Sequence, residues 1–265
     1  MFIRLQVIKS QVIAGVLLMG ILLINTGLEA QEKFPYELKI KEDTGEIVRI
    51  AVDGKPVLTG LRLVTSPRPN EILVPGVNDE NKVPAKSKWQ DGVFITTKDG
   101  VLYDAGERLL QYKGKIVASP NGVIKISYDI EYPKDVTWYR IPHFEFMLPI
   151  GIYNGKAFKT KKVAGDTLMG LISDTEYINT GEENISIKMA TTVGIVEFKS
   201  EECRLQIYQS GKSGKDKIEF LVVKKQGVPT FNKKFDSTFE AIKAGTKATI
   251  ELEIRLLRFS DKTSK

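Results

Sequence analysis

The chain has 265 residues, 39 lysines and arginines against 33 aspartates and glutamates, one cysteine and one histidine. A single cysteine closes no intramolecular disulfide, and with one histidine it cannot build the usual zinc site, so covalent stapling and structural zinc are both excluded. An apolar fraction of 42% over this length supports a core without either.

The first thirty residues read as a leader. Arg4 and Lys9 precede the uncharged run "SQVIAGVLLMGILLINTG", which ends near the small-residue site Leu28-Glu29-Ala30. A charged start, a short apolar stretch and a small residue define a cleavable signal peptide. The stretch Val12 to Ile24 spans about 13 residues, short of the roughly 20 a helix needs to cross a bilayer. The expectation is therefore export to the periplasm or beyond, with no stable membrane insertion after cleavage. Without Arg4, Lys9 and Glu29, 37 basic residues face 32 acidic ones.

From residue 36 onward the apolar period is two. "ELKIKE", "EIVRIAV" and "VLTGLRLVT" come first, with a "DG" turn signal at 53–54. The least regular piece follows, Ser66 to Lys88, with four prolines among polar residues; a connection of that length is either a binding loop or a mobile insertion. Next come "GVFITTK", a second "DG" at 99–100, "KIVAS" and an "NG" at 121–122, each dipeptide suited to a two-residue hairpin. In "VIKISYDIEY", Ile124, Ile126, Tyr128, Ile130 and Tyr132 fall on one face, and Lys125, Ser127, Asp129 and Glu131 on the other. Such alternation marks a half-buried antiparallel strand.

"TWYRIPHFEFMLP" (137–149) holds the only histidine and one of two tryptophans. Alternation places Phe144 and Phe146 on one face and His143, Glu145 and Met147 on the other. After it, "YNGKAFKTKKVAGDTLMGLISDTEY" is irregular. Strands resume in "ISIKMAT", "GIVEFK", "RLQIYQS", "KIEFLVVKK" and "FEAI", closing with "ATIELEIRLLRF", where Ile250, Leu252, Ile254 and Leu256 oppose Glu251, Glu253 and Arg255. Cys203 alternates with Leu205 and Ile207 and is expected in the core. The basic pieces "KTKK" (159–162) and "KSGKDK" (212–217) carry no interleaved aromatics and read as solvated loops, which predicts no nucleic-acid partner. "SGKSGK" (210–215) lacks the leading glycine and the following helix of a phosphate loop. The "NIS" sequon at 184–186 falls on a strand. Loop carboxylates in "VNDEN" or "SDTEY" leave calcium open, but no metal ligand set or cofactor motif is complete. The fold class is all-β, a large antiparallel β-sandwich with no substantial helix, built as one domain over 31–265.

The order of parts resembles the galactose-mutarotase-like β-supersandwich. The resemblance runs from "TGEIVRIAVDGKPVLTGLRL" through "GVIKISYDIEYPKDVTWYRIPHFEFMLP" to "FEAIKAGTKATIELEIRLL" and covers most of the mature chain. It implies a carbohydrate context, since such domains act as sugar epimerases, as modules of glycoside hydrolases and polysaccharide lyases, or without known chemistry. The epimerase branch pairs a histidine with a glutamate from a distant strand, and this chain offers only His143, with Glu145 two residues on.

No complete catalytic set is assigned. The candidate site is a sugar platform in which Trp138 or Tyr139 stacks on a pyranose while Arg140, His143 and Glu145 grip hydroxyls. The expected function is that of an exported carbohydrate-binding or non-catalytic accessory protein; a sugar epimerase, a polysaccharide lyase and a structural envelope protein are the alternatives. The leader generates a direct test. Amino-terminal sequencing of the protein recovered from its producing cell should begin at or near Gln31, and an intact Met1 in a soluble cytoplasmic fraction would sink the export reading.

Overall fold

The computed structural model describes residues 34–68, 71–138, 140–162, 164–173, 178–179, 184–201, 203–209, 217–224 and 240–257. In chain order its elements are β1 (Glu37–Ile40), β2 (Ile47–Val52), β3 (Lys55–Ser66), β4 (Lys86–Gln90), β5 (Val93–Asp104), β6 (Glu107–Ala118), β7 (Val123–Glu131), β8 (Val136–Trp138) and β9 (Arg140–Pro149). A single turn of helix, α1 (Ile150–Tyr153), leads to β10 (Ala157–Lys162), β11 (Met169–Leu171), β12 (Ile178–Asn179), β13 (Asn184–Ala190) and β14 (Ile195–Lys199). The rest are β15 (Cys203–Gln209), β16 (Lys217–Lys224), β17 (Glu240–Ile242) and β18 (Lys247–Leu257). The protein is all-β, as its alternation predicts.

Hydrogen bonding links sixteen of these strands, all antiparallel, into one continuous sheet that folds over on itself. Layer one runs β1-β2-β3-β9-β16-β15; layer two runs β13-β14-β18-β7-β6-β5-β4, with β10 and β11 added beyond β13. The layers are joined at a corner where Asn184 opens β13 and pairs with Leu205 of β15. Its side-chain amide donates to the Leu205 carbonyl at 3.0 Å, and the residue is wholly buried. That burial also removes the sequon's acceptor nitrogen from any glycosylating enzyme acting on the folded chain. A small ribbon, β8 with β17, stands apart.

The core lies where inner faces meet. From layer one, Phe144, Phe146 and Leu148 point inward; from layer two come Ile126, Tyr128, Phe198, Ile250, Leu252 and Ile254, all at most 5% exposed. Phe144 meets Tyr128 edge-on at 5.7 Å between ring centroids, and Phe146 meets Phe198 at 5.3 Å. Aromatic pairs across the layers fix their stacking as well as filling volume. At one end Trp89 packs between Phe34 and Phe94.

Turn chemistry follows the sequence at 53–54, where Asp53 and Gly54 both adopt positive φ, 49° and 72°, between β2 and β3. It departs at 99–100. These residues lie inside β5, opposite Lys113 and Tyr112, and the hairpin is made instead by Ala105 and Gly106, with φ of 48° and 88°. Gly100 serves close approach rather than reversal: a Cβ there would stand 2.6 Å from both the Asp79 carboxylate and the Tyr112 hydroxyl. "KTKK" is likewise β10 rather than a loop, and the irregular stretch around it forms the β10–β11 hairpin. The second basic piece up to Asp216 and the Cys203 side chain lie outside the described residues.

The face assignment predicts unequal costs in the last strand. Leu252 is 1% exposed and inward, so Leu252→Asp should lose about 3–5 kcal/mol or more by placing a charge in the core. Glu253→Lys, on the outer face beside Lys125 and Arg255, should lose about 1 kcal/mol or less. Chemical denaturation of both variants measures the difference; equal losses would invert the faces.

Candidate functional site

Of the candidate site residues in "TWYRIPHFEFMLP", only His143 and Glu145 are described to their side chains. Trp138 ends β8, opposite Glu240 of β17. Arg140 opens β9, opposite Ser66. Their side chains, and Tyr139 altogether, lie outside the described residues. His143 sits within layer one between Val64 of β3 and Val223 of β16, only 2% exposed. Glu145 is half-buried, and one of its oxygens accepts from two nitrogens of Arg62, at 2.7 and 3.2 Å. Strand register makes that pair, since Arg62 and Glu145 are direct cross-strand partners.

A recess opens on the opposite layer. On the outward face of β5, β6, β7 and β18 a cleft of about 750 Å³ opens, within the range of small-molecule sites. Register builds it from two rows of outward side chains. One row is Asp99, Lys113, Asp129 and Thr249; the other is Val101, Gln111, Glu131 and Lys247. Between them Gly100, Tyr112, Ile130 and Ala248 form the floor. Thr249 donates to Asp129 at 2.8 Å, and Lys247 lies 3.5 Å from Glu131. Asn81 and Val83 supply the rim.

That rim is the middle of the long 66–88 segment, which is neither structureless nor detached. Leu73 bridges to Thr65, and Asp79 bridges to Leu102 as an extra strand on the edge of β5, with the Glu80 amide donating to Val101 and that of Tyr103 to Asn78. Pairing with an inward residue turns the Asp79 side chain inward. There it meets Lys98, 3% exposed, at 3.1 Å, and accepts from the Tyr112 hydroxyl at 2.7 Å. Lys98 also donates to the Val83 carbonyl. Burial, then the bond to Asp79, pushes the Tyr112 phenol far above its ordinary pKa, so it remains a neutral donor. Asp79 is thus committed to Lys98, and no group of three or more metal-ligating side chains occurs among the described residues; the calcium alternative in "VNDEN" loses its best carboxylate. "SDTEY" lies largely outside the described residues.

Sequence reading missed the cleft because its residues come from four strands, three consecutive and the fourth, β18, more than 110 positions beyond β7. Each was visible as the polar half of an alternating strand. Only the cross-strand register assembles them.

No family model matches the chain, and no curated protein matches it in sequence. Its fold has clear counterparts among solved structures. The inferred mutarotase YeaD of Salmonella typhimurium superposes with a TM-score of 0.53 at 7% identity, over 84% of this chain and 88% of the other. The Slr1438 protein of Synechocystis sp. PCC 6803 gives 0.52 at 10%, covering 85% and 93%. An inferred aldose 1-epimerase of Escherichia coli K12 gives 0.50 at 8%, covering 83% and 95%. The chain therefore has the galactose-mutarotase-like fold, and identities this low carry the fold alone.

The buried pair yields a sharp expectation. Asp79→Leu alone leaves the Lys98 ammonium without a counter-charge and should cost about 3–5 kcal/mol, whereas the same change combined with Lys98→Met should cost far less than the sum of the two single changes. A double-mutant cycle by urea denaturation measures both; additive losses would show that the two groups are not coupled.

Proposed function

We infer that the protein is an exported carbohydrate-binding domain that holds a sugar in the outward cleft of layer two and performs no chemistry on it. The observation that carries this reading is the convergence of Asp99, Gln111, Lys113, Asp129, Glu131 and Lys247 over one recess. A sugar ring presents several hydroxyls at fixed angles, each both donor and acceptor. Carboxylates accept from hydroxyls, lysine donates to them, and glutamine does both. Likeness in fold to proteins with mutarotase and epimerase names supports a sugar as the ligand, and the leader supports export.

Binding is favoured over epimerisation by the placement of groups. Ring opening requires a positioned acid and base. The one imidazole of the chain is buried in layer one, while Asp129 is held by Thr249 and Glu131 by Lys247. A glycan-processing enzyme is the second reading, favoured by Asp99, which stands across Lys113 from Asp129 and makes no ion pair with any described residue.

Glycan-array screening followed by calorimetry on the best ligand tests the assignment. Gln111→Ala and Asp129→Ala should each weaken binding by about tenfold or more, the usual loss for a hydrogen bond to a charged or amide group. Glu145→Gln should leave it unchanged. Loss on Glu145→Gln alone would move the site to the platform on β9, and polarimetry showing accelerated anomer exchange would replace binding by catalysis.

A further inference from the structure

The basic excess is dispersed along the chain, but strand pairing gathers much of it on one surface. On the outer face of layer two, next to the cleft, a cross-strand row runs Lys86 (β4), Thr97 (β5), Lys115 (β6), Ser127 (β7). The adjoining row runs Lys88, Ile95, Val117, Lys125. With strands about 4.8 Å apart and alternate residues about 6.7 Å apart, Lys86, Lys88 and Lys115 stand within roughly 7–12 Å of one another. All three are exposed, and none makes an ion pair with a described carboxylate. Lys125 is 66% exposed and only loosely paired, 3.6 Å from Glu253. Lys113 links this field to the cleft, where Asp99 and Asp129 flank it.

The polarity of this surface changes along the strands. The cleft mixes three carboxylates with two lysines; beyond it the rows hold lysines, hydroxyls, Ile95 and Val117, and no carboxylate until β18. Unpaired lysines clustered on a sheet face gain nothing for the fold and repel one another. A focused positive field beside a recess attracts a polyanion that extends out of that recess. Outward side chains in the two rows are Lys, Thr, Ser, Ile and Val, with no aromatic on which a base could stack. That composition separates a glycan from a nucleic acid.

We propose that the lysine face of β4–β7 binds the charged residues of an acidic polysaccharide, one sugar of which occupies the cleft. The ammonium groups of Lys86, Lys88, Lys115 and Lys125 contact anionic oxygens on successive sugars, and the Thr97 and Ser127 hydroxyls donate to the same oxygens. Those oxygens belong to uronate carboxylates or to sulfate esters. The assignment rests on the cleft reading for its register and is separable from it by experiment.

The test titrates the purified protein with polygalacturonate, dextran sulfate, neutral dextran, a thymidine oligonucleotide and phosphatidylglycerol vesicles, across a range of salt. The triple variant K86Q/K88Q/K115Q should bind the acidic glycans at least about tenfold more weakly, and its log–log salt dependence should flatten by about two, as expected for loss of three cationic contacts to a flexible polyanion. K39Q/K41Q/K55Q, the same charge change in and beside β1 and β3, should bind as the parent does. The stronger of the two acidic glycans identifies the anionic group. If the triple variant matches this control while Asp129→Ala still abolishes binding, the lysine face is excluded and the cleft stands. Weakening in the triple variant but not in Asp129→Ala keeps the lysine face and removes the cleft. Tighter binding of the oligonucleotide or the vesicles than of either acidic glycan would overturn the proposal.

Discussion

Strict two-residue alternation, held in register across β5, β6, β7 and β18, is the constraint from which the rest of the molecule follows. A one-residue slip of β7 against β6 and β18 would turn Ile124, Ile126, Tyr128 and Ile130 outward and Lys125, Asp129 and Glu131 toward the core. Burial of the isoleucine row therefore dictates which polar residues line up on the other side. Core and candidate site are two readings of the same register.

Lys98 is where the rule demands a charge on the inside. Its strand neighbours Thr96 and Leu102 face the core, and so does it. An ammonium there needs both a counter-charge and hydrogen-bond acceptors, and the long segment after β3 supplies them: Asp79 as the ion, the Val83 carbonyl as acceptor. The segment is consequently laid along the edge of β5, where it also covers an otherwise open strand edge. One inward charge thereby positions Asn81 and Val83 at the rim of the cleft. The proline-rich composition of 66–88 conceals this, because prolines signal irregular backbone without saying what the irregular backbone is for.

What the sequence discloses is what a single strand can encode. The inner faces of β7 and β18 and the Asp53-Gly54 turn are local features, and each appears in the structure as the local sequence requires. The Asp99-Gly100 pair was misleading because glycine suits two demands equally, positive φ and close approach, and only the presence of Asp79 and Tyr112 beside it selects the second. "KTKK" reads as a loop on charge alone, yet Phe158 and Thr160 alternate inward across it. The cleft was illegible for a different reason. Lys113, Asp129 and Thr249 are ordinary outward residues of three strands, and nothing in any one strand says which residues of the others will be its neighbours.

The same separation explains why likeness in fold transfers so little chemistry here. Identities of 7–10% to the counterpart structures are compatible with a shared fold because the inner face needs only apolar side chains of suitable volume, which many sequences provide. The outer face is under no such requirement. Its side chains meet water, their individual contributions to stability are small, and the strands beneath hold their positions whatever they carry. A lysine or a carboxylate on that face is thus free to answer to a ligand instead of to the core. The uneven charge of the outer surface, mixed in the cleft and basic beside it, is therefore information about what the surface meets, in a way that the apolar core can never be.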